Sequence, residues 1–390
     1  MRLRLIYLYR NIMRNGRRSL LTLAAVGLPM VIFVLSASVI DAIERFLENS
    51  AQQLRLAVVQ KSSIINPLPE GHRAKIEALD LERGRIRSVC GIHWIGGRVE
   101  NSSVQLSTLA ADHDTFLDTF PEYHLTPEQR EAWLRDRRAL IVGEATAGQF
   151  NWNVGDRVTI LPSVPPYEPM EFTVVATSGN AADRVTNWFR RDYLEETLKA
   201  FGMPGGHVSF YYVKCASKDD LDYFRGAIDA HFAGSTDETA TQDEKAFMNQ
   251  FITQQFNLPR NLAILAAVTV FVAVMAAANT MNMTFRDRIS EFATLKSLGF
   301  GGGVVFWQVQ VESLALCGFG GVAGALVPYA LFMHTPLRDV NIPVIQTLYI
   351  DPLVCLQAVG IALGIGLVAG LLPSWSAYRL HVVTALRSLE

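Results

Sequence analysis

Four apolar runs, Ser19–Ile40, Leu262–Thr284, Val304–Met333 and Pro352–Leu372, limit what this 390-residue chain can fold into. A helix needs about 20 apolar residues to cross the hydrocarbon of a bilayer, and it satisfies its own backbone there. One run precedes and three follow a polar stretch, 41–258, so the pattern reads as one large domain inserted between the first and second membrane helices. The first run is N-terminal, follows positive charges and holds Ser36-Ala37-Ser38, a cleavage-like triplet. It is longer than the apolar core of a secretory signal, so an uncleaved anchor helix over 19–40 is expected.

Half of the chain is hydrophobic (50%), 18% is charged, and the formal net charge is −2. Most acidic residues fall in the insert, and no basic excess points to nucleic acid. Lys and Arg in short segments beside the membrane set orientation. Arg2, Arg4, Arg10, Arg14, Arg17 and Arg18 precede run one, Arg286, Arg288 and Lys296 separate runs two and three, and Arg379 and Arg387 follow run four. The segment 334–351 carries only Arg338. Both termini (1–18 and 373–390) and the segment 285–303 are therefore expected on the cytoplasmic side, with 41–258 and 334–351 outside.

Within the insert, Asp41–Leu54 and Glu244–Asn257 have apolar residues at helical spacing and read as stalks that continue the membrane helices, with Phe46 and Phe256 on them. Between them lie short strands at Arg55–Gln60, Val104–Thr108, Ala139–Val142, Arg157–Leu161, Glu171–Thr177 and Val208–Cys215. Helices are expected at Glu70–Leu79, Pro127–Arg135, Glu144–Phe150 and Lys218–Phe232, the last with Leu221, Phe224, Ile228 and Phe232 on one face. An α+β domain follows.

No catalytic residue and no metal site stands out. Asp112-His113-Asp114 has ligand chemistry, but three adjacent residues on a regular element cannot all face one ion, and a turn is the plainer reading. Gly-x-Ser-x-Gly, His-Glu-x-x-His and Cys-x-x-Cys do not occur. Cys90 and Cys215 lie in the insert, where buried free thiols are favoured over a pair, and Cys317 and Cys355 lie in membrane runs. The strand Ser209–Val213 is aromatic, which suits a half-buried core strand more than a ligand surface.

The membrane runs have their own signals. Gly320/Gly324, Gly360/Gly364 and Gly366/Gly370 have Gly-x-x-x-Gly spacing, which lets helices approach within a subunit or across a dimer. Glu312 lies inside run three, turned to protein or water, or else near the headgroups because the run begins in the interface. The stretch 282–299 leaves the membrane as a charged amphipathic helix with Phe292, Leu295 and Leu298 as a stripe and stops at Gly299.

The four-run layout, the set Arg288, Glu291, Phe292, Ala293, Leu295, Lys296, Ser297 and Gly299, and the tail Pro373, Ala377, Arg379, Ala385, Leu386 and Arg387 together resemble the permeases of MacB/FtsX/LolC-type ABC systems, the type VII or mechanotransmission class. Ala139–Glu144, Val154–Asp156 and Phe172–Val175 are similar to that family's periplasmic core domain. Phe292 stands for the family's Ile, Lys296-Ser297 for Arg-Ala, Val382 for Pro and Thr384 for Glu.

The resemblance implies a membrane α-helical protein of four transmembrane helices with an α+β extracytoplasmic domain of MacB periplasmic-core type, multi-pass in the bacterial inner membrane. It implies a coupling helix at Arg288, Glu291, Ala293, Leu295, Lys296 and Gly299, and a C-terminal cytoplasmic contact at Arg379, Ala385, Leu386 and Arg387. The implied partners are an ABC ATPase, a second permease copy, membrane lipid and, in some systems, a periplasmic adaptor. ATP and Mg would sit on the ATPase, in keeping with the lack of a Gly-x-x-x-x-Gly-Lys-Ser/Thr loop in this sequence. Export or extraction of periplasmic or outer-leaflet substrate is the first functional reading. FtsX-like regulation of a cell-wall hydrolase is the alternative, and a stand-alone receptor is a third. Lipoprotein, lipid, peptide, antibiotic and haem all remain open as cargo.

Overall fold

The computed structural model describes residues 16–82, 84–100, 102–179, 184–256, 258–335 and 348–380. In chain order they form α1 (Gly16–Ala51), β1 (Arg55–Gln60), β2 (Leu68–Pro69), α2 (His72–Glu77), β3 (Ile86–Trp94), β4 (Arg98–Val99), β5 (Thr108–Ala111), α3 (Phe116–Thr119), a 3-10 turn (Pro121–Tyr123), α4 (Pro127–Arg135) and β6 (Ala139–Gly143). Next come α5 (Glu144–Phe150), β7 (Arg157–Leu161), β8 (Met170–Ser178), β9 (Asn187–Arg190), α6 (Arg191–Ala200), β10 (His207–Val208), β11 (Phe210–Cys215), α7 (Lys218–Phe232), β12 (Thr239–Asp243) and α8 (Glu244–Phe256). The last four are α9 (Leu258–Asp287), α10 (Ile289–Ser297), α11 (Gly302–His334) and α12 (Pro352–Arg379).

The described residues divide into two units, one within 16–42, 258–335 and 348–380, the other within 43–256. Leu20–Ala51, Leu258–Asp287, Gly302–Met333 and Pro352–Arg379 are long and apolar enough to cross a membrane. Inside the first unit, Val26, Met30 and Val34 of α1, Ala273 and Ala277 of α9, and Ala358, Ala362 and Ala369 of α12 share one buried core with Cys317 and Ala325 of α11. Small side chains dominate it because apolar lipid gives helices no hydrophobic reason to associate, and close backbone packing takes over.

The second unit is built on a ten-stranded mixed sheet in the order β12-β1-β11-β3-β5-β9-β6-β8-β7-β4. β5 runs parallel to β9 and β6 parallel to β8; the other neighbours pair antiparallel. Side chains alternate across a strand, so β1 sends Ala57 and Val59 to one face and Leu56 and Val58 to the other. The first face carries a continuous core, from β1 to β8, with Phe116, Phe120, Tyr123 and Trp133 laid on it. The opposite face carries two separate cores, one beneath Leu221, Phe224, Ile228 and Phe232 of α7 and one beneath Leu194 and Leu198 of α6. One sheet thus supports two lobes.

At the sheet's edge, the backbone N–H of Thr241 and the hydroxyls of Thr239 and Thr241 all donate to the Asp229 carboxylate, at 3.0, 2.9 and 2.6 Å. The other edge, β4, is two residues long.

Three sequence expectations change. The strand expected over Val104–Thr108 begins at Thr108, with one isolated bridge at Gln105. Val208–Cys215 is broken at Ser209, whose N–H donates to the carbonyl of Ile92. The helix expected over Glu70–Leu79 shortens to His72–Glu77, because the backbone at Glu70 bonds Gly206 instead.

Candidate coupling segment and membrane-helix packing

Asp287 ends α9 and Arg288, outside helical geometry, starts α10; Gly299, at φ +89°, ends the segment in the left-handed conformation that glycine adopts without steric penalty. Between them Phe292 is buried, stacks on Phe285 of α9 and joins Val305 and Val309 of α11 and Ala377 of α12. A single aromatic ring thus fastens α10 to three long helices.

Arg288 fastens it a second time. Its Nε donates to Glu291 at 2.9 Å, its Nη1 donates to Glu312 at 2.7 Å, and its guanidinium lies 5.0 Å from the Phe292 ring centre. Arg288 and Glu312 are 5% and 7% exposed, so the Glu312 carboxylate is turned to protein. Removing one partner of such a pair would strand the other charge, at about 3–5 kcal/mol. A third fastening is Lys296, whose ammonium donates to the carbonyls of Tyr378 and Leu380 at 2.8 and 2.9 Å. These carbonyls stand at the C-terminus of α12, where cations are favoured.

The coupling residues expected from sequence therefore divide. Arg288 and Ala293 are buried, Glu291, Leu295 and Lys296 are half-buried, and Gly299 is exposed. The expected apolar stripe also divides, since Phe292 is inside while Leu298 is 72% exposed. With Thr294, Ser297 and Phe300 (48% exposed), Leu298 forms the outer strip of the segment. Phe300 was not singled out in the sequence, because it lies past the helix-ending glycine, where periodicity gives no reading. At the tail, Arg379 lies 5.0 Å from the Trp375 ring centre; Ala385, Leu386 and Arg387 lie outside the described residues.

Among the glycines, a Cβ placed on Gly320 would meet the carbonyl of Leu23 at 3.2 Å, and one on Gly324 the Cβ of Met30 at 2.7 Å, so these two set the α1–α11 crossing. Gly366 and Gly370 do the same for α11 and α12, where a Cβ would meet the Ser313 carbonyl at 3.0 Å and the Ser313 Cβ at 2.9 Å. Ser313 Oγ donates to the Gly366 carbonyl at 2.7 Å and Ser374 Oγ donates to Gln310 at 3.2 Å across the same contact. Gly360 and Gly364 have nothing within 4 Å of a Cβ. Of the two stalk residues, Phe46 is half-buried, and the side chain of Phe256 lies outside the described residues.

In the second unit, the carboxylates of Asp112 and Asp114 are engaged by Arg191 and Arg73, and Asp112 also accepts from the Gly91 N–H at 2.9 Å. Among the described residues no group of three or more His, Cys, Asp or Glu is disposed to hold a metal. Cys90 and Cys215 are free and buried, and burial pushes the Cys215 thiol up to about 12, so it is not a reactive thiolate. Tyr211 and Tyr212 are buried in opposite cores.

Residues 263–382 match the family described as FtsX-like permease C-terminal. The macrolide export ATP-binding/permease protein MacB of Hyphomonas neptunium is 32% identical over 127 residues, 33% of this chain and 19% of that protein. MacB of Syntrophobacter fumaroxidans is 26% identical over 154 residues, 40% of this chain and 21% of that protein. The matched stretch thus spans about a fifth of the length of these curated relatives. Among solved structures, the periplasmic region of MacB from Actinobacillus actinomycetemcomitans superposes with a TM-score of 0.35 at 12% identity, over 53% of this chain and 97% of that one. The extracellular domain of the noncanonic ABC-type transporter YknZ from Gram-positive bacteria gives 0.34 at 11%, over 48% and 99%.

Proposed function

We propose, for a chain of the MacB/FtsX permease type, that it is the transmembrane subunit of an ABC export or extraction system and that α10 receives the stroke of a separate ATPase subunit. The observation that carries this reading is the triple fastening of α10: Phe292, Arg288 and Lys296 bind it to α9, α11 and α12, while Thr294, Ser297, Leu298 and Phe300 stay exposed. A short helix locked to long ones and bare on its outer side is a lever with a docking face. Force applied there enters α11 through Glu312 and α12 through its C-terminal carbonyls.

In this reading both termini and α10 are cytoplasmic, the α+β domain is extracytoplasmic, and α1 and the α8–α9 chain carry movement to it. Substrate is handled outside or taken from the outer leaflet, because four helices per subunit are few for a tunnel. A second permease copy completes the unit, and Gly360 and Gly364 offer it an open small-residue face. The MacB relatives are macrolide export proteins, which favours export. The FtsX-like match favours, second, regulation of a cell-wall hydrolase by the same movement.

The test is to co-express the chain with an ABC ATPase subunit of the same organism that the unmodified chain captures, and to introduce Leu298→Glu and Phe300→Glu together. Retained ATPase is expected to fall by about tenfold or more, the loss of roughly 1.4 kcal/mol or more of binding free energy. Undiminished capture would remove the docking assignment. A hydrolase copurifying in place of export partners would favour the second reading.

A further inference from the structure

The chain enters the α+β unit through α1 and leaves it through α8, and these two connections meet at one buried arginine. Arg55 is the first residue of β1, and Glu244 is the first residue of α8, directly after β12. β1 and β12 pair antiparallel with Leu56 opposite Asp243, so Arg55 and Glu244 stand opposite each other one step further along. The guanidinium grips the carboxylate with two bonds, Nε to Oε2 at 2.7 Å and Nη2 to Oε1 at 2.9 Å. Nη1 donates to the Thr119 carbonyl at 3.0 Å and to Glu122 at 2.6 Å. The Phe120 ring centre lies 4.5 Å from the guanidinium carbon. The turn between α1 and β1 is held too, since Lys214 donates to the Gln53 carbonyl at 2.5 Å.

A two-bond Arg–carboxylate pair fixes orientation as well as distance, because its planar fork fits in one geometry. Its position is informative. A buried ion pair adds little stability over an apolar pair of the same size, so stability alone does not account for one placed where both connections enter the domain.

We propose that Arg55 is a positioning residue: its grip on Glu244 holds the incoming and outgoing connections at one fixed spacing, so that they move as a single piece. The spacing follows from this geometry alone. Its use in delivering movement to the domain rests on the coupling reading above.

The experiment uses the full chain in nanodiscs, with spin labels on ketone-bearing unnatural residues at Glu48 and Thr253, both exposed. Electron–electron double resonance then reads the spacing of the two connections. The unmodified pair is expected to give one narrow distribution. Arg55→Met with Glu244→Met keeps the volume and the fold, checked by circular dichroism, and is expected to widen the distribution by about twofold or more, as local opening becomes accessible. Arg55→Cys with Glu244→Cys, next to the paired Leu56 and Asp243, is expected to restore the narrow distribution when oxidised and lose it on reduction. A methionine pair as narrow as the parent, or an oxidised cysteine pair as broad as the methionine pair, would overturn the proposal. No ATPase takes part, so failure here leaves the coupling reading standing, and failure of the docking test leaves this one standing.

Discussion

Each unit of the molecule has a buried arginine set where a long helix hands over to the next element, and the two differ in how fully they are bonded. Arg55 has a donor on Nε, Nη1 and Nη2 accepted, by Glu244, Thr119 and Glu122. Arg288 bonds Glu291 and Glu312 through Nε and Nη1, while its Nη2 is buried with no partner among the described residues. Around Arg55 the atom left over is an acceptor, Glu122 Oε2, buried with no partner among the described residues; the guanidinium itself is fully bonded and resists rearrangement, whereas a guanidinium with an unmet donor gains from a new partner. The arginine of the α+β unit therefore reads as a fixed joint, and that at the start of α10 as a joint with freedom to re-pair.

Arg55→Ala gives the largest expected effect. It leaves the Glu244 carboxylate buried without its two-bond cation, and unfolding of the α+β unit in urea, followed by tryptophan fluorescence, is expected to lose about 3–5 kcal/mol. Glu312→Gln keeps an acceptor but removes the charge; α10 should loosen by about 1–2 kcal/mol, read as faster amide exchange over Ile289–Ser297. Equal losses in the two variants would break the contrast between a fixed and an adaptable joint.

A third test sharpens the comparison from the side of helix packing. Gly324→Leu drives a side chain into the Met30 Cβ and is expected to destabilise the membrane unit by about 1–3 kcal/mol in detergent unfolding. Gly360→Leu meets open space and is expected to stay within about 0.5 kcal/mol. If Gly360→Leu instead dissociates a dimer on sizing, its open face is a subunit contact.

The smallest expected effect is a pH dependence in the α+β unit. The Ser217 hydroxyl and the Arg85 guanidinium hold the Asp220 carboxyl below the usual carboxylate range. A depressed carboxyl contributes stability above its unfolded pKa and loses it as pH falls through the folded value. Stability is thus expected to drop below about pH 4, and Asp220→Asn should flatten that part of the acid limb, followed by the unfolding midpoint against pH.

How much was legible in the sequence follows from how local each signal is. Lys218–Phe232 shows its buried face at helical spacing, opens with Ser217 capping Asp220 N–H, and is found where periodicity put it. Thr126 and Gln129 likewise form a capping box that marks Pro127–Arg135. The nine-residue strand Ile86–Trp94 escaped, because it lies mid-sheet with Val89, Cys90 and Ile92 buried in succession on both faces, and so shows no alternation. Asn187–Arg190 escaped because its polar ends are satisfied from afar: Gly143 N–H donates to Asn187, and Arg190 donates to the carbonyls of Trp133 and Leu134. In α10, the residue pattern located the helix but not its outward side, since the partners that bury Arg288 and hold Lys296 come from α11 and α12. Arg55 and Glu244 are 189 positions apart, and no local rule links them.

Asp229 has a consequence at a larger scale. By occupying the amide of Thr241 and both threonine hydroxyls, it withholds from passing chains the template that an uncapped border strand presents. At Thr241, the middle of this border strand, a neighbouring copy would meet a carboxylate instead of a free amide.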